Sequence, residues 1–477
     1  MQPFALIKLI LVFFFLARQI RLLVTMGTNS VLVGALVGDF AILCLGLFYA
    51  TYYLAVLKNP TLTFDKVKIL LLAILLASLL QGLYFTEALA GGGWELTLFR
   101  AFGPFRKVFL PLVLLFFFSY LLNIEFLKHG DLIFKRLVRV FTIFLYIAVA
   151  FNIGEFILRS ASPALDSFYV ESYVRRLEEA STSGDSQLSK NASTTADVVH
   201  KMFGLDVKRV FGIGLDLHLS GAIIFMCYLV RVFLSGKFRV ISALNCIVFV
   251  SLLLSGSRQF VFPFLLLNGF FLTRQYARIK SLAVFLVPAF LVVFSLFLVD
   301  FSKPLFSSAD QGFFSYFGVV VGPVIENAGL FILGRGPITI SSYGGEMLVP
   351  ELQKNFVFAE IGNFGFMMII LEIGLVGSIL CILLLVALFK EGRAVKKLYG
   401  EDKYTRGLKI IIILNVVVFL AHFPILFDRT IIVFQVFLMS LLYSWRRFRG
   451  YAFNGVEADQ IAPAFLEPGM ISENEIR

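Results

Sequence analysis

The chain has 477 residues, of which 59% are hydrophobic and 15% charged, with a net charge of +11. A mean hydropathy of +0.89 lies far outside the range of a water-soluble domain. This composition excludes a basic soluble surface for nucleic acid and predicts an all-α, polytopic membrane protein.

Apolar runs of the length a ~30 Å hydrocarbon layer demands follow one another along the chain, and lipid cannot satisfy backbone amides, so each run is expected to be a helix. They predict about twelve spans, near 4–24, 31–56, 67–85, 107–124, 138–158, 213–234, 238–255, 259–273, 281–300, 361–389, 408–427 and 430–445. The first lacks a small-residue cleavage site and is read as a span, not a signal peptide. The run at 259–273 is short and carries Pro263. Residues 1–449 are read as one helical domain. The polar, acidic stretch 450–477 is read as a disordered cytoplasmic tail. Phenylalanine occurs 56 times, and many of these residues need no role beyond lipid contact.

Alternate connections are basic, for example Lys128/Lys135/Arg136/Arg139, Arg231/Lys237/Arg239 and Arg446/Arg447/Arg449. Placed in the cytoplasm, they put both termini there and leave the long connections 159–212 and 301–360 outside. The four cysteines, Cys44, Cys227, Cys246 and Cys381, lie in or beside spans and read as packing residues. His129, His200, His218 and His422 are scattered, with no partner at metal-ligand spacing, so neither a metal nor a cofactor is expected.

The first outer connection holds a Ser/Thr/Gly-rich linker, then Lys208-Arg209-Val-Phe-Gly212-Ile-Gly214 leading to Leu217-His218, a segment expected to dip back into the membrane. Between two spans on the outer side sits Ser255-Gly256-Ser257-Arg258. The second outer connection carries Gly334-Arg335-Gly336-Pro337, then Ser341-Ser342-Tyr343 and Glu346, Glu351 and Glu360. The next span contains Glu372-Ile-Gly374-Leu-Val-Gly377. Topology does not call for cations at 209, 258 and 335. A guanidinium at the membrane edge is costly without a partner, and its fork suits a phosphate. Glycine and serine around Arg258 and Arg335 let a ligand approach the backbone. The competing reading places each such arginine among lipid head groups. Glu372 has two readings, a catalytic carboxylate or a cap on a helix N-terminus.

These motifs resemble those of the O-antigen polymerase and ligase superfamily. Ser255-Gly256-Ser257-Arg258 is similar to the family's small-residue-plus-Arg element. Gly334-Arg335-Gly336-Pro337 with Ser341 is similar to the loop motif of its repeat-unit polymerases, and Arg209-Val-Phe-Gly212 to its re-entry segment. The resemblance implies a glycosyltransferase of the bacterial inner membrane. Its donor and acceptor would both be oligosaccharides linked to polyprenyl diphosphate, with a chain-length regulator and a flippase as further partners. On the chemistry of that transfer, Arg258 and Arg335 would neutralise the diphosphate with Arg209 in support, and Glu346, Glu360 or Glu351 would accept the hydroxyl proton. Gly334, Gly336, Ser341, Tyr343 and His218 are assigned to substrate binding, with a packed interface residue as the competing reading of His218. Ligases of the family carry a His in the large loop; residues 301–360 have none, which favours a polymerase. A ligase acting on lipid A core, a cell-wall polymerase of similar fold and a membrane transporter are the rival readings. A transporter would place its charges at mid-bilayer, whereas the candidates here lie at span ends.

Overall fold

The computed structural model describes residues 3–28, most of 66–77, 114–167, 199–202, 205–208, 210–214, 217–235, 242–256, 258–275, 332, 365–390, 401–420 and 429–453. These residues are overwhelmingly helical. In chain order the helices are α1 (Pro3–Phe15), α2 (Ala17–Thr28), α3 (114–129), α4 (Leu132–Ala161), α5 (Leu217–Ser235), α6 (Ala243–Ser255), α7 (Arg258–Gln275), α8 (Gly365–Lys390), α9 (Lys403–Leu420) and α10 (Arg429–Phe453). Among the described residues, Leu132–Ala161 and Thr430–Arg449 are long and apolar enough to cross a membrane, and several shorter apolar helices accompany them.

The helices begin and end where local chemistry dictates. Ser242 caps α6 by accepting a hydrogen bond from the Asn245 amide at 3.3 Å, and Gly256 ends it at a left-handed φ of 65°. Asp402 caps α9 by accepting from the amides of Tyr404 and Thr405, both at 3.0 Å. The run 4–24 divides at Leu16, yet Leu16 N–H donates to Val12 O and Ile20 N–H to Leu16 O, so α1 and α2 continue one rod. Within α8, Gly374 takes φ 67° and ψ −178°, a combination open to glycine alone, and breaks the helix there. The break creates a helix start just after Glu372, whose side chain lies outside the described residues.

α5 is the hub. Every residue from Ala222 to Val230 is buried, as an apolar helix must be when it is surrounded, and α5 packs against α4, α6, α7 and α9. α4 is two-faced. Leu137, Phe141, Phe144, Leu145 and Ala148 are buried, while Ile143, Tyr146, Phe151 and Ile157 are exposed. Many phenylalanines expected against lipid instead pack between helices: Phe15 stacks on Phe144 at 4.3 Å, and Phe118 meets Phe437 edge-on at 5.1 Å. Complementary ring shapes fill interhelical gaps at least as well as they face acyl chains.

At one end of the bundle the starts of α1, α4 and α9 meet the ends of α3, α8 and α10. There the Phe4 amide donates to Glu125 Oε1 at 2.9 Å, and Arg136 lies 3.8 Å from Glu125 Oε2. Phe134 stacks on Tyr404 at 4.0 Å, and Phe126 packs on Trp445 at 5.2 Å. Arg449 pairs with Asp402, which also accepts from Trp445 Nε1 at 3.1 Å. Arg446 donates to the carbonyls of Leu388 and Phe389 at the end of α8. α4, 30 residues and so about 45 Å long, runs from this end to the opposite one.

Two features depart from the sequence reading. Within the connection 159–212, β1 (Val199–Met202) and β2 (Leu205–Lys208) form an antiparallel hairpin, with Val199 opposite Lys208 and Met202 opposite Leu205. Hydrogen bonding between backbones makes this pair, and four-residue strands are too short for a period to register. α10 also runs to Phe453, past the boundary drawn at 449, because its i→i−4 ladder outlasts the apolar run. The predicted spans 31–56 and 281–300 lie outside the described residues, as do the linker before residue 197 and the tail beyond 453.

Candidate functional site at the end opposite the basic connections

At the far end of α4 an ionic network replaces the apolar contacts of its middle. Glu155 and Arg159 are one helical turn apart, so their side chains share a face. Glu155 is 6% exposed and Arg159 is fully buried. Arg159 Nη1 donates to Glu155 Oε1 at 3.1 Å, and its Nε donates to Asp166 Oδ1 at 2.8 Å. Lys208, the last residue of β2, reaches Asp166 Oδ2 at 2.8 Å and donates to the Arg159 carbonyl at 3.1 Å. The hairpin is thereby tied to the end of α4. Burial alone would raise the Asp166 pKa, but hydrogen bonds from Lys208 and Arg159 hold its carboxyl below the ordinary 3.8.

The chain that follows the hairpin is pinned by the same carboxylate. The amide of Phe211 donates to Glu155 Oε1 at 2.9 Å and that of Gly212 to Oε2 at 2.6 Å. Consecutive amides converging on one anion form a nest, which here needs the left-handed φ of 57° at Gly212. A β-carbon at that glycine would overlap Asn152 Oδ1 and lie 2.7 Å from Ser220 Oγ. Ser220 Oγ donates to the Phe211 carbonyl and accepts from the Gly214 amide at 2.9 Å. The Arg159 guanidinium stands 5.1 Å from the centre of the Phe211 ring. Val210, Phe211 and Ile213 are all buried.

This pinned segment meets the last turn of α6. The Val210 amide donates to the Leu254 carbonyl at 3.0 Å. Asn152 Nδ2 donates to the Ser251 carbonyl at 3.3 Å. Gln19 Nε2 on α2 reaches the Ile213 carbonyl at 3.1 Å. Val210, within the motif Arg209-Val-Phe-Gly212, therefore meets Leu254, the residue immediately before Ser255-Gly256, through the backbone.

Arg258 opens α7 and His218 stands in the first turn of α5; the side chains of both lie outside the described residues. So do Arg209, Gly334, Arg335, Gly336, Ser341, Tyr343, Glu346, Glu351 and Glu360 in their entirety. Among the described residues, no group of three or more His, Cys, Asp or Glu side chains converges to hold a metal. Cys227, Cys246 and Cys381 are free thiols.

Sequence reasoning missed Glu155, Arg159 and Asp166. The available signal was a carboxylate and a guanidinium spaced i, i+4 at the end of an apolar run. Ending the span at 158 placed Arg159 in the loop and left Glu155 unremarked. Comparison with known proteins returned no matching family model, no matching curated protein and no matching solved structure.

Proposed function

We propose that this chain spans the bacterial inner membrane about twelve times, with both termini cytoplasmic, and polymerises glycans carried on polyprenyl diphosphate at the outer face. The observation that carries the reading is the hydrogen bond from the Val210 amide to the Leu254 carbonyl in the last turn of α6. Val210 follows Arg209 in sequence and Leu254 precedes the Ser255–Arg258 motif, which supports a common location for two of the three unexplained outer arginines. The gathering of basic residues at the opposite end of the bundle supports the orientation. The candidate arginines, read from the sequence at span ends, favour a transferase over a transporter, which needs its charges at mid-bilayer.

On this reading an acceptor sugar hydroxyl attacks the anomeric carbon of the donor glycan. The bond from that carbon to the diphosphate oxygen breaks, and the lipid diphosphate leaves. Arg258 and Arg335, with Arg209 in support, neutralise the departing charge; fixed cations aimed at developing charge lower the barrier without reorganising. The hydroxyl proton passes to a carboxylate, for which Glu346, Glu351 and Glu360 are the candidates. Gly334, Gly336, Ser341, Tyr343 and His218 are assigned to binding the substrate.

The test is chain-length analysis of the glycan made by cells carrying Arg258→Ala or Arg335→Ala, with membrane insertion checked by quantitative blotting. Loss of polymer at normal insertion is expected. Wild-type chain lengths from both variants would refute the assignment. Transfer to lipid A core by the purified wild type, without polymerisation, would replace it with the ligase.

A further inference from the structure

The Glu155 carboxylate does more than balance Arg159. Both of its oxygens are used by the backbone amides of Phe211 and Gly212, at 2.9 and 2.6 Å. These bonds cross 56 and 57 residues of chain. Irregular backbone at this depth must find partners within the protein, and a carboxylate seated in an amide nest supplies them with charge-assisted bonds. A neutral amide at position 155 would keep the shape and offer only one acceptor oxygen to two donors. Arg159, fully buried, holds Glu155 from below through Nη1 and is held in turn by Asp166 and, through its carbonyl, by Lys208. The order of dependence is clear from the geometry. Lys208 and Asp166 fix Arg159, Arg159 fixes Glu155, and Glu155 fixes the peptide that follows Arg209 in sequence and bonds to Leu254.

We propose that Glu155 is a positioning residue for glycan transfer: its carboxylate pins Val210–Gly214 against the last turn of α6, fixing the peptide that adjoins Arg209 in sequence. The proposal rests on the transferase reading for its catalytic consequence, while the pin itself can be tested without any activity. A misplacement of about 1 Å in groups meeting the reacting centre costs on the order of a hundredfold in rate.

The experiment uses the full chain in native membranes, with Cys44, Cys227, Cys246 and Cys381 replaced by alanine and Ile213→Cys as the single thiol. Ile213 is 1% exposed, so a membrane-impermeant maleimide added from outside should label this thiol slowly. Adding Glu155→Gln should speed labelling at least tenfold, and Glu155→Asp should give an intermediate rate. In the native-cysteine chain, Glu155→Gln should lower kcat for polymerisation of lipid-linked oligosaccharide on the order of a hundredfold, normalised to folded protein, with a smaller change in KM. Glu155→Asp should recover part of that loss. Unchanged labelling in Glu155→Gln overturns the proposal, and so does faster labelling with undiminished kcat. A wild-type chain that makes no polymer from the same substrate refutes the transferase reading instead, and the labelling rates still decide whether Glu155 is the pin.

Discussion

Replacing Gly212 with alanine separates the cost of a backbone conformation from the cost of crowding, because the molecule contains its own control. Gly212 and Gly130 both hold positive φ, at 57° and 51°. Alanine in that region costs about 1–2 kcal/mol at either position. A β-carbon at Gly130 meets nothing within 4 Å, whereas at Gly212 it overlaps Asn152 Oδ1 and crowds Ser220 Oγ. Relief requires those side chains to retreat, which breaks the bonds of Ser220 with the Phe211 carbonyl and the Gly214 amide and that of Asn152 with the Ser251 carbonyl. Each buried bond contributes about 1 kcal/mol, and each stranded partner costs a similar amount. Gly212→Ala should therefore destabilise by about 2–4 kcal/mol more than Gly130→Ala. Thermal unfolding of both variants in lipid nanodiscs reads the difference. Equal losses would refute the reasoning, since they would mean that the segment is not held against Asn152 and Ser220.

Other consequences can be measured in the same preparation. Asp402→Ala removes the cap of α9 and the acceptor shared by Trp445 and Arg449, and should cost about 2–4 kcal/mol; a loss below 1 kcal/mol would show that water replaces the carboxylate there without penalty. Asp166 is held below its ordinary 3.8 by Lys208 and Arg159, so its contribution is complete above that value and fades as pH falls through the lower folded pKa. The stability gap between wild type and Asp166→Asn should accordingly be constant from pH 7 to about 5 and shrink toward pH 3. A gap that widens on acidification would contradict the network.

The helical architecture was readable because long apolar runs leave backbone amides no partner but one another, and a helix satisfies them. The start of α6 at a capping serine and its end at Gly256 follow from residue chemistry that any reader of the sequence can apply. The re-entry of the chain after Arg209 was also expected, and Val210–Gly214 does pack into the bundle. What could not be read was its anchor. Glu155 has no visible partner within its own helix except Arg159, and the amides it holds arrive only after the hairpin, more than fifty residues on. Pairings of that separation depend on tertiary geometry, to which hydropathy and periodicity are blind. The hairpin escaped for a related reason, since its strands are short and its stabilising lysine bonds to another element. The glycine at 374 was noticed as part of a motif, but its role as a break inside α8 appears only in its dihedral angles.

The arginines near the end of α10 have a consequence for how this chain is oriented. Arg446 is engaged by the terminal carbonyls of α8, and Arg449 by Asp402. A tally of Lys and Arg therefore overstates the charge free to meet anionic lipid at that end once the helices have assembled. Their positive charge can guide insertion while the chain is still nascent and then be taken up as fasteners between three helices. Neutralising either one late in the life of the molecule would loosen the bundle at this end without turning it over.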